Sequence, residues 1–190
     1  NWGRLMPQIV YYISAYADLV ARGYCALGDP IDVCVPSGNF GNILAAYYAK
    51  RMGTPIDRLL CASNANNVLA DFLETGCYEI ADRSLVKTAS PSMDILISSN
   101  LERLLYEIAG DGAQVIGWMD DLKNTRRFQL DETTFSRLRK DMVGDWVDEN
   151  AESIVLMSCR WSEDKNFLLV EYTAKIQGRS AMKTTQRIGW

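Results

Sequence analysis

The sequence predicts an α/β fold in which a mostly parallel sheet is flanked by helices. Three observations carry this. Segments with helical apolar spacing alternate with short, almost wholly apolar runs, the rhythm of βα units. One of those short runs, Arg58–Ala62, has the character of a strand buried on both faces of a parallel sheet. The chain also has 190 residues and 48% hydrophobic content, enough for a sizeable core.

Leu5, Ile9, Tyr12, Ile13, Tyr16, Leu19 and Val20 recur at helical spacing and predict a helix from Trp2 to Arg22, with Gly23 as its stop. Asp32–Val35 follows as a short strand. Ile43–Met52 is a second helix, ended by Gly53 and Pro55. After the Arg58–Ala62 strand, Val68, Leu69, Phe72 and Leu73 mark a short helix that begins about Asn66 and stops at Gly76. Cys77–Ser92 is weakly periodic and reads mostly as loop, and Leu101, Leu104, Leu105 and Ile108 declare the next helix. Asp111 caps a helix carrying Val115, Ile116, Met119 and Leu122. Asp131 caps another carrying Phe135, Leu138, Met142 and Trp146, with Lys123–Arg127 as a solvated connection between them. Ile154–Trp161 fits helix and strand equally.

A net charge of −4 and the lack of a dense Lys/Arg run speak against nucleic acid or an anionic membrane as the main partner, and for a small metabolite. Five scattered cysteines with no Cys-x-x-Cys pair suggest neither a disulfide framework nor a zinc site. No apolar stretch approaches bilayer length and no leader-like segment opens the chain, so the expected location is cytoplasmic. There is no histidine, which removes histidine triads and histidine metal ligands. No metal site is expected.

The most informative stretch is Asp32–Asn42, where a β-branched run stops at Pro36, crosses a small-residue turn and enters a helix. Its two glycines and two asparagines allow unusual φ values. The following helix start offers free N–H groups and a positive dipole end, which suit a phosphate. An ordinary βα connection would use the same residues. Walker and dinucleotide-binding glycine patterns are both absent.

Pro36-Ser37-Gly38-Asn39-Phe40-Gly41-Asn42 resembles the loop by which threonine synthases hold the phosphate of pyridoxal 5′-phosphate. The resemblance extends to Asn1–Tyr12 upstream and, in family order, to Ala62–Asn66, Ser90–Ile95 and Ser99–Arg103 downstream. It implies part of a fold-type-II enzyme: residues 1–169 as the α/β portion that binds the cofactor phosphate, and residues 170–190 as a divergent tail. Ser37, Gly38, Asn39, Gly41 and Asn42 would contact the cofactor phosphate, while Phe40 reads as packing. Arg4 would meet the substrate phosphate or carboxylate, a role that competes with that of a surface helix arginine. Asn64, Asn66, Asp94, Asn100 and Arg103 sit on family-like motifs that hydrogen bonding to loops would also explain.

Thr173 falls where the family places a residue facing the pyridine nitrogen, although the family's Pro and His are replaced around it. The lysine that carries the cofactor aldehyde belongs, by the same resemblance, to a portion preceding Asn1, so no residue of this chain is expected to be catalytic. The implied parent activity is a carbon–oxygen lyase acting on phosphates, which converts O-phosphohomoserine and water to threonine and phosphate. The chain alone would be inactive. Its expected partners are that substrate, the preceding portion of the same enzyme, and other copies through an exposed apolar face. The rival expectation is a non-catalytic relative that binds a phosphometabolite or a protein. A weaker one is another fold-type-II enzyme acting on serine or threonine.

Overall fold

The computed structural model describes residues 2–147 in full and the backbone of 153–161, 167–176 and 179–189. The chain divides into two units, Asn1–Glu149 and Asn150–Trp190. The 169/170 division taken from the resemblance lies inside a strand of the second unit.

The first unit opens with α1 (Trp2–Ala21), which carries Pro7 in its second turn. Strand β1 (Ile31–Pro36), helix α2 (Gly41–Arg51) and strand β2 (Ile56–Ser63) form the expected βα unit. β1 and β2 pair in parallel, with Val35 opposite Cys61 and Pro36 opposite Ala62. Helix α3 (Val68–Thr75) follows and ends on Gly76, whose φ of 72° is the left-handed conformation that glycine adopts without a Cβ penalty.

The third strand of the sheet is β5 (Met142–Trp146), parallel to β2 and on its far side from β1. This corrects the expectation that Met142 and Trp146 continue the preceding helix. That helix, α6 (Glu132–Asp141), ends because Met142 is already extended, with φ −131° and ψ 141°. Phe135, Leu138, Met142 and Trp146 keep helical spacing by coincidence. The open edge of β2 needs a hydrogen-bonding partner, and that tertiary demand overrides the local pattern. Gly144 lets α3 lie close on this strand: a Cβ there would sit 2.7 Å from Ala70 Cα and 2.8 Å from Ala70 O.

A second departure is the antiparallel pair β3 (Cys77–Glu79) and β4 (Arg127–Gln129): β3 opens a stretch that is otherwise mostly loop as expected, and of the expected Lys123–Arg127 connection Lys123–Thr125 continue the preceding helix while Arg127 already begins β4. Strands this short carry no periodic signal. What holds them is aromatic packing: Tyr78 and Phe128 stack with centroids 5.4 Å apart, and Phe72 meets both edge-on. Helices α4 (Leu101–Ala109) and α5 (Gly112–Thr125) complete the unit. Asp111 and Asp131 cap as expected, accepting from Ala113 N and Thr134 N.

The core consists of α2 side chains (Ile43, Leu44, Ala45, Ala46), the inward residues of β1, β2 and β5 (Val35, Leu59, Cys61, Met142) and the buried faces of α3 and α4. In the second unit, β6 (Ser153–Trp161), β7 (Phe167–Ile176) and β8 (Arg179–Gly189) form an antiparallel sheet in that order. Ile154–Trp161 is therefore strand. No helix among the described residues is long and apolar enough to cross a membrane.

Candidate anion-binding site

The loop between β1 and α2 leaves the sheet at the carboxyl ends of its strands, where open α/β sheets place ligands. Ser37 is still tied to the sheet. Its N–H donates to Ala62 O at 2.9 Å and its hydroxyl to Val35 O at 3.0 Å. Gly38 is buried under the segment Ser92–Ile95: a Cβ there would lie 3.0 Å from Ser92 O, 3.0 Å from Ile95 Cδ1 and 3.2 Å from Met93 Cα. Glycine is needed here for close approach.

The residue with positive φ is Phe40, at φ 63° and ψ 7°. The aromatic ring is 1% exposed, so burial holds a backbone conformation that a bulky residue otherwise avoids. Phe40 is thus both a packing residue, as expected, and the source of the unusual geometry expected of the glycines. It is also the N-cap of α2, and its side chain makes no cap hydrogen bond to that helix. A left-handed residue followed by helical ones turns successive N–H groups toward one concavity, an arrangement that binds anions, and the helix dipole adds to it. The loop contains no acidic side chain.

Asn42, in the first turn of α2, joins this end of the helix to α1. Its Nδ2 donates to Gln8 Oε1 at 3.3 Å, and Tyr12 Oη donates to Asn42 Oδ1. Burial pushes the Tyr12 hydroxyl above the usual tyrosine range, so it remains a donor. Arg4 is exposed on α1 and precedes Gln8 by one turn on the face that Gln8 and Tyr12 share. Asn39 is exposed, and its Oδ1 accepts from Ser99 Oγ at 3.3 Å.

Asn64, Asn66 and Asp94 belong to a separate network after β2. Asn64 Nδ2 donates to Asp94 Oδ1 at 2.8 Å and Asn66 Nδ2 to the same oxygen at 3.1 Å, while Thr88 N donates to Asp94 Oδ2 at 2.9 Å. Thr88, through its amide and then its hydroxyl, holds the Asp94 carboxyl below the usual range. This network ties the segment that covers Gly38 to the turn following β2. Among the described residues, Arg103 Nη1 and Ser63 Oγ are buried and have no hydrogen-bond partner.

The sequence assigns no role to Ser98 and offers hydrogen bonding to a loop as one of two readings of Asn100; both bond directly to this loop, Ser98 Oγ to Gly38 O at 2.9 Å and Asn100 Nδ2 to Asn39 O at 2.8 Å. In the sequence Ser98-Ser99-Asn100 looks like any polar lead-in to a helix. Thr173 lies on β7, opposite Leu156 and Lys183; its side chain is outside the described residues.

No family model matches the chain. It is 52% identical over 150 residues to human threonine synthase-like 1, an alignment covering 78% of this chain and 20% of that protein. It is 38% identical over 186 residues to the threonine synthase of Saccharomyces cerevisiae, covering 92% and 35% respectively. Among solved structures, the pyridoxal-phosphate-bound threonine synthase of Brucella melitensis superposes with a TM-score of 0.71 at 45% identity, over 78% of this chain and 31% of that one. The yeast threonine synthase does so at 0.72 and 38%, over 80% and 31%. The parallel sheet with its flanking helices is therefore that of the fold-type-II pyridoxal-phosphate enzymes. The chain is a relative of the threonine synthases and threonine synthase-like proteins, and it spans between about a fifth and a third of their length.

Proposed function

We propose that the Ser37–Asn42 loop holds the phosphate of pyridoxal 5′-phosphate, and that the chain is the phosphate-anchoring part of a lyase that converts O-phosphohomoserine and water to threonine and phosphate. One observation carries this: the N-cap of α2 is a left-handed Phe40 whose side chain makes no cap hydrogen bond, so the cap position leaves the N–H groups of the helix start for an anion. The donor set fits a phosphate dianion, being backbone N–H and Asn amide with no carboxylate in the loop. Asn39, Gly41 and Asn42 supply the main donors, Gly38 lets the turn sit under Ser92–Ile95, and the Ser37 hydroxyl can rotate from Val35 O toward the phosphate.

When bound, the cofactor supplies an electron sink for reaction at the substrate's α- and β-carbons. This chain's contribution is binding and orientation. Arg4 on α1 would take the substrate phosphate. None of its lysines is assigned to the cofactor aldehyde; Lys50, for one, is paired with Asp141 at 2.5 Å. Activity then requires a further portion of the same enzyme as partner, and the reaction is cytoplasmic. A second reading, a relative that binds a phosphometabolite without catalysis, is favoured by the loop's self-sufficiency: its geometry needs no lysine.

Titration of the chain with pyridoxal 5′-phosphate and with inorganic phosphate, followed by the amide resonances of Asn39–Asn42, tests the site. Saturable shifts confined to these amides are expected. Binding elsewhere, or none, overturns the proposal, and preference for inorganic phosphate over the cofactor favours the second reading.

A further inference from the structure

The carbonyl groups of Gly38, Asn39 and Phe40 are all hydrogen-bonded. Gly38 O accepts from Ser98 Oγ at 2.9 Å, and Asn39 O accepts from both Asn100 N at 3.2 Å and Asn100 Nδ2 at 2.8 Å. Phe40 O accepts from Leu44 N at 3.1 Å, the first bond of the helix. Every peptide here is trans, and in a trans peptide the C=O of one residue points opposite to the N–H of the next. The N–H groups of Asn39, Phe40 and Gly41 are therefore directed away from Ser98, Asn100 and the body of α2. Without these donors, the Gly38 and Asn39 carbonyls would be free to rotate outward and present negative oxygen to an incoming anion.

The two donors are themselves anchored. Ser98 is buried and its N–H donates to Tyr78 Oη at 3.2 Å, while that hydroxyl donates to Leu96 O at 2.8 Å; Tyr78 is part of the aromatic core. Asn100 stands at the start of α4, and its side chain turns to the loop and makes no cap bond to α4. A Cβ on Gly41 would lie 3.5 Å from Asn100 Nδ2, so the glycine leaves that amide ordinary contact room and no more.

We infer that Ser98 and Asn100 are positioning residues of the anion loop: by holding the Gly38 and Asn39 carbonyls back, they determine that the loop meets a phosphate with N–H groups. The inference rests on the reading of this loop as the phosphate site. Its test is titration of the 190-residue chain with inorganic phosphate and pyridoxal 5′-phosphate, in parallel with Ser98→Ala, Ser98→Thr, Asn100→Ala and Asn100→Ser. Ser98→Ala and Asn100→Ala each weaken both ligands about tenfold, the scale of one lost hydrogen bond. Ser98→Thr keeps the hydroxyl and restores affinity, and Asn100→Ser restores it in part.

Before any ligand is added, the amide shifts of Asn39 and Phe40 move in the alanine variants and return toward wild type in Ser98→Thr, a signature that general loss of stability in the folded fraction does not produce. Unchanged dissociation constants in folded alanine variants overturn the positioning role and leave the loop reading standing. Wild-type chain whose loop amides do not respond to either ligand overturns both. Should an alanine variant not fold, the inference falls if the folded Asn100→Ser variant has wild-type loop shifts and affinity.

Discussion

Alanine at the two loop glycines should have opposite consequences, although the sequence presents them as equivalent. At Gly38 the new methyl would sit 3.0 Å from Ser92 O and 3.2 Å from Met93 Cα, both backbone atoms, and 3.0 Å from Ile95 Cδ1, the end of a flexible side chain. The isoleucine can turn aside at small cost, but the backbone must move by a few tenths of an ångström, and it is fastened through Asp94 to Asn64 and Asn66. Overpacking of this kind costs about 1–3 kcal/mol, and the reduced freedom of the unfolded chain returns roughly 0.4–1 kcal/mol. The net expectation for Gly38→Ala is a loss of about 1 kcal/mol. At Gly41, apart from its chain neighbours and its own helix, the new methyl would meet among the described residues Asn100 Nδ2 at 3.5 Å, an ordinary contact, and the residue is helical, so Gly41→Ala should be neutral or stabilising by up to about 1 kcal/mol. Urea denaturation with unchanged m-values measures both. Equal stability of the Gly38→Ala chain and wild type, or a larger loss at Gly41 than at Gly38, would refute the packing argument.

Gly144→Ala should destabilise more than Gly38→Ala, by roughly 2–3 kcal/mol, because its methyl would meet α3 backbone at 2.7 Å; the same denaturation series checks the order. Asp94 has a folded pKa below its ordinary value, so its contribution to stability is present above that ordinary value and is lost as pH falls through the folded one. Acid titration of the unfolding midpoint should therefore show a smaller decline below the usual carboxylate range in Asp94→Asn than in wild type. Burial pushes the Cys61 thiol up to about 11, and with no exposure it should resist alkylation at pH 8 until the chain unfolds; peptide mapping after native and denatured labelling reads this directly.

Local chemistry determined a good part of this protein. The apolar stripe of α1, the Asp111 and Asp131 caps, the Gly76 stop and the βα junction at Pro36–Asn42 each follow from interactions within a few residues, so they can be read along the chain. The motif from Pro36 to Asn42 also pointed to the family through side chains alone. Tertiary structure decided what depends on distant partners. Met142–Trp146 became a strand because β2 had an open edge, and Cys77–Glu79 because Phe128 stacks on Tyr78. Within the loop, the left-handed residue is Phe40 and no glycine: the core needs its ring, and the energy of burying an aromatic side chain exceeds the cost of the strained backbone. The bonds from Ser98 and Asn100 to the loop span about sixty residues of sequence, and their donors are ordinary polar residues ahead of a helix. Only folding brings such donors to a particular carbonyl, which is why the geometry of the site, unlike its location, was not legible in the chain.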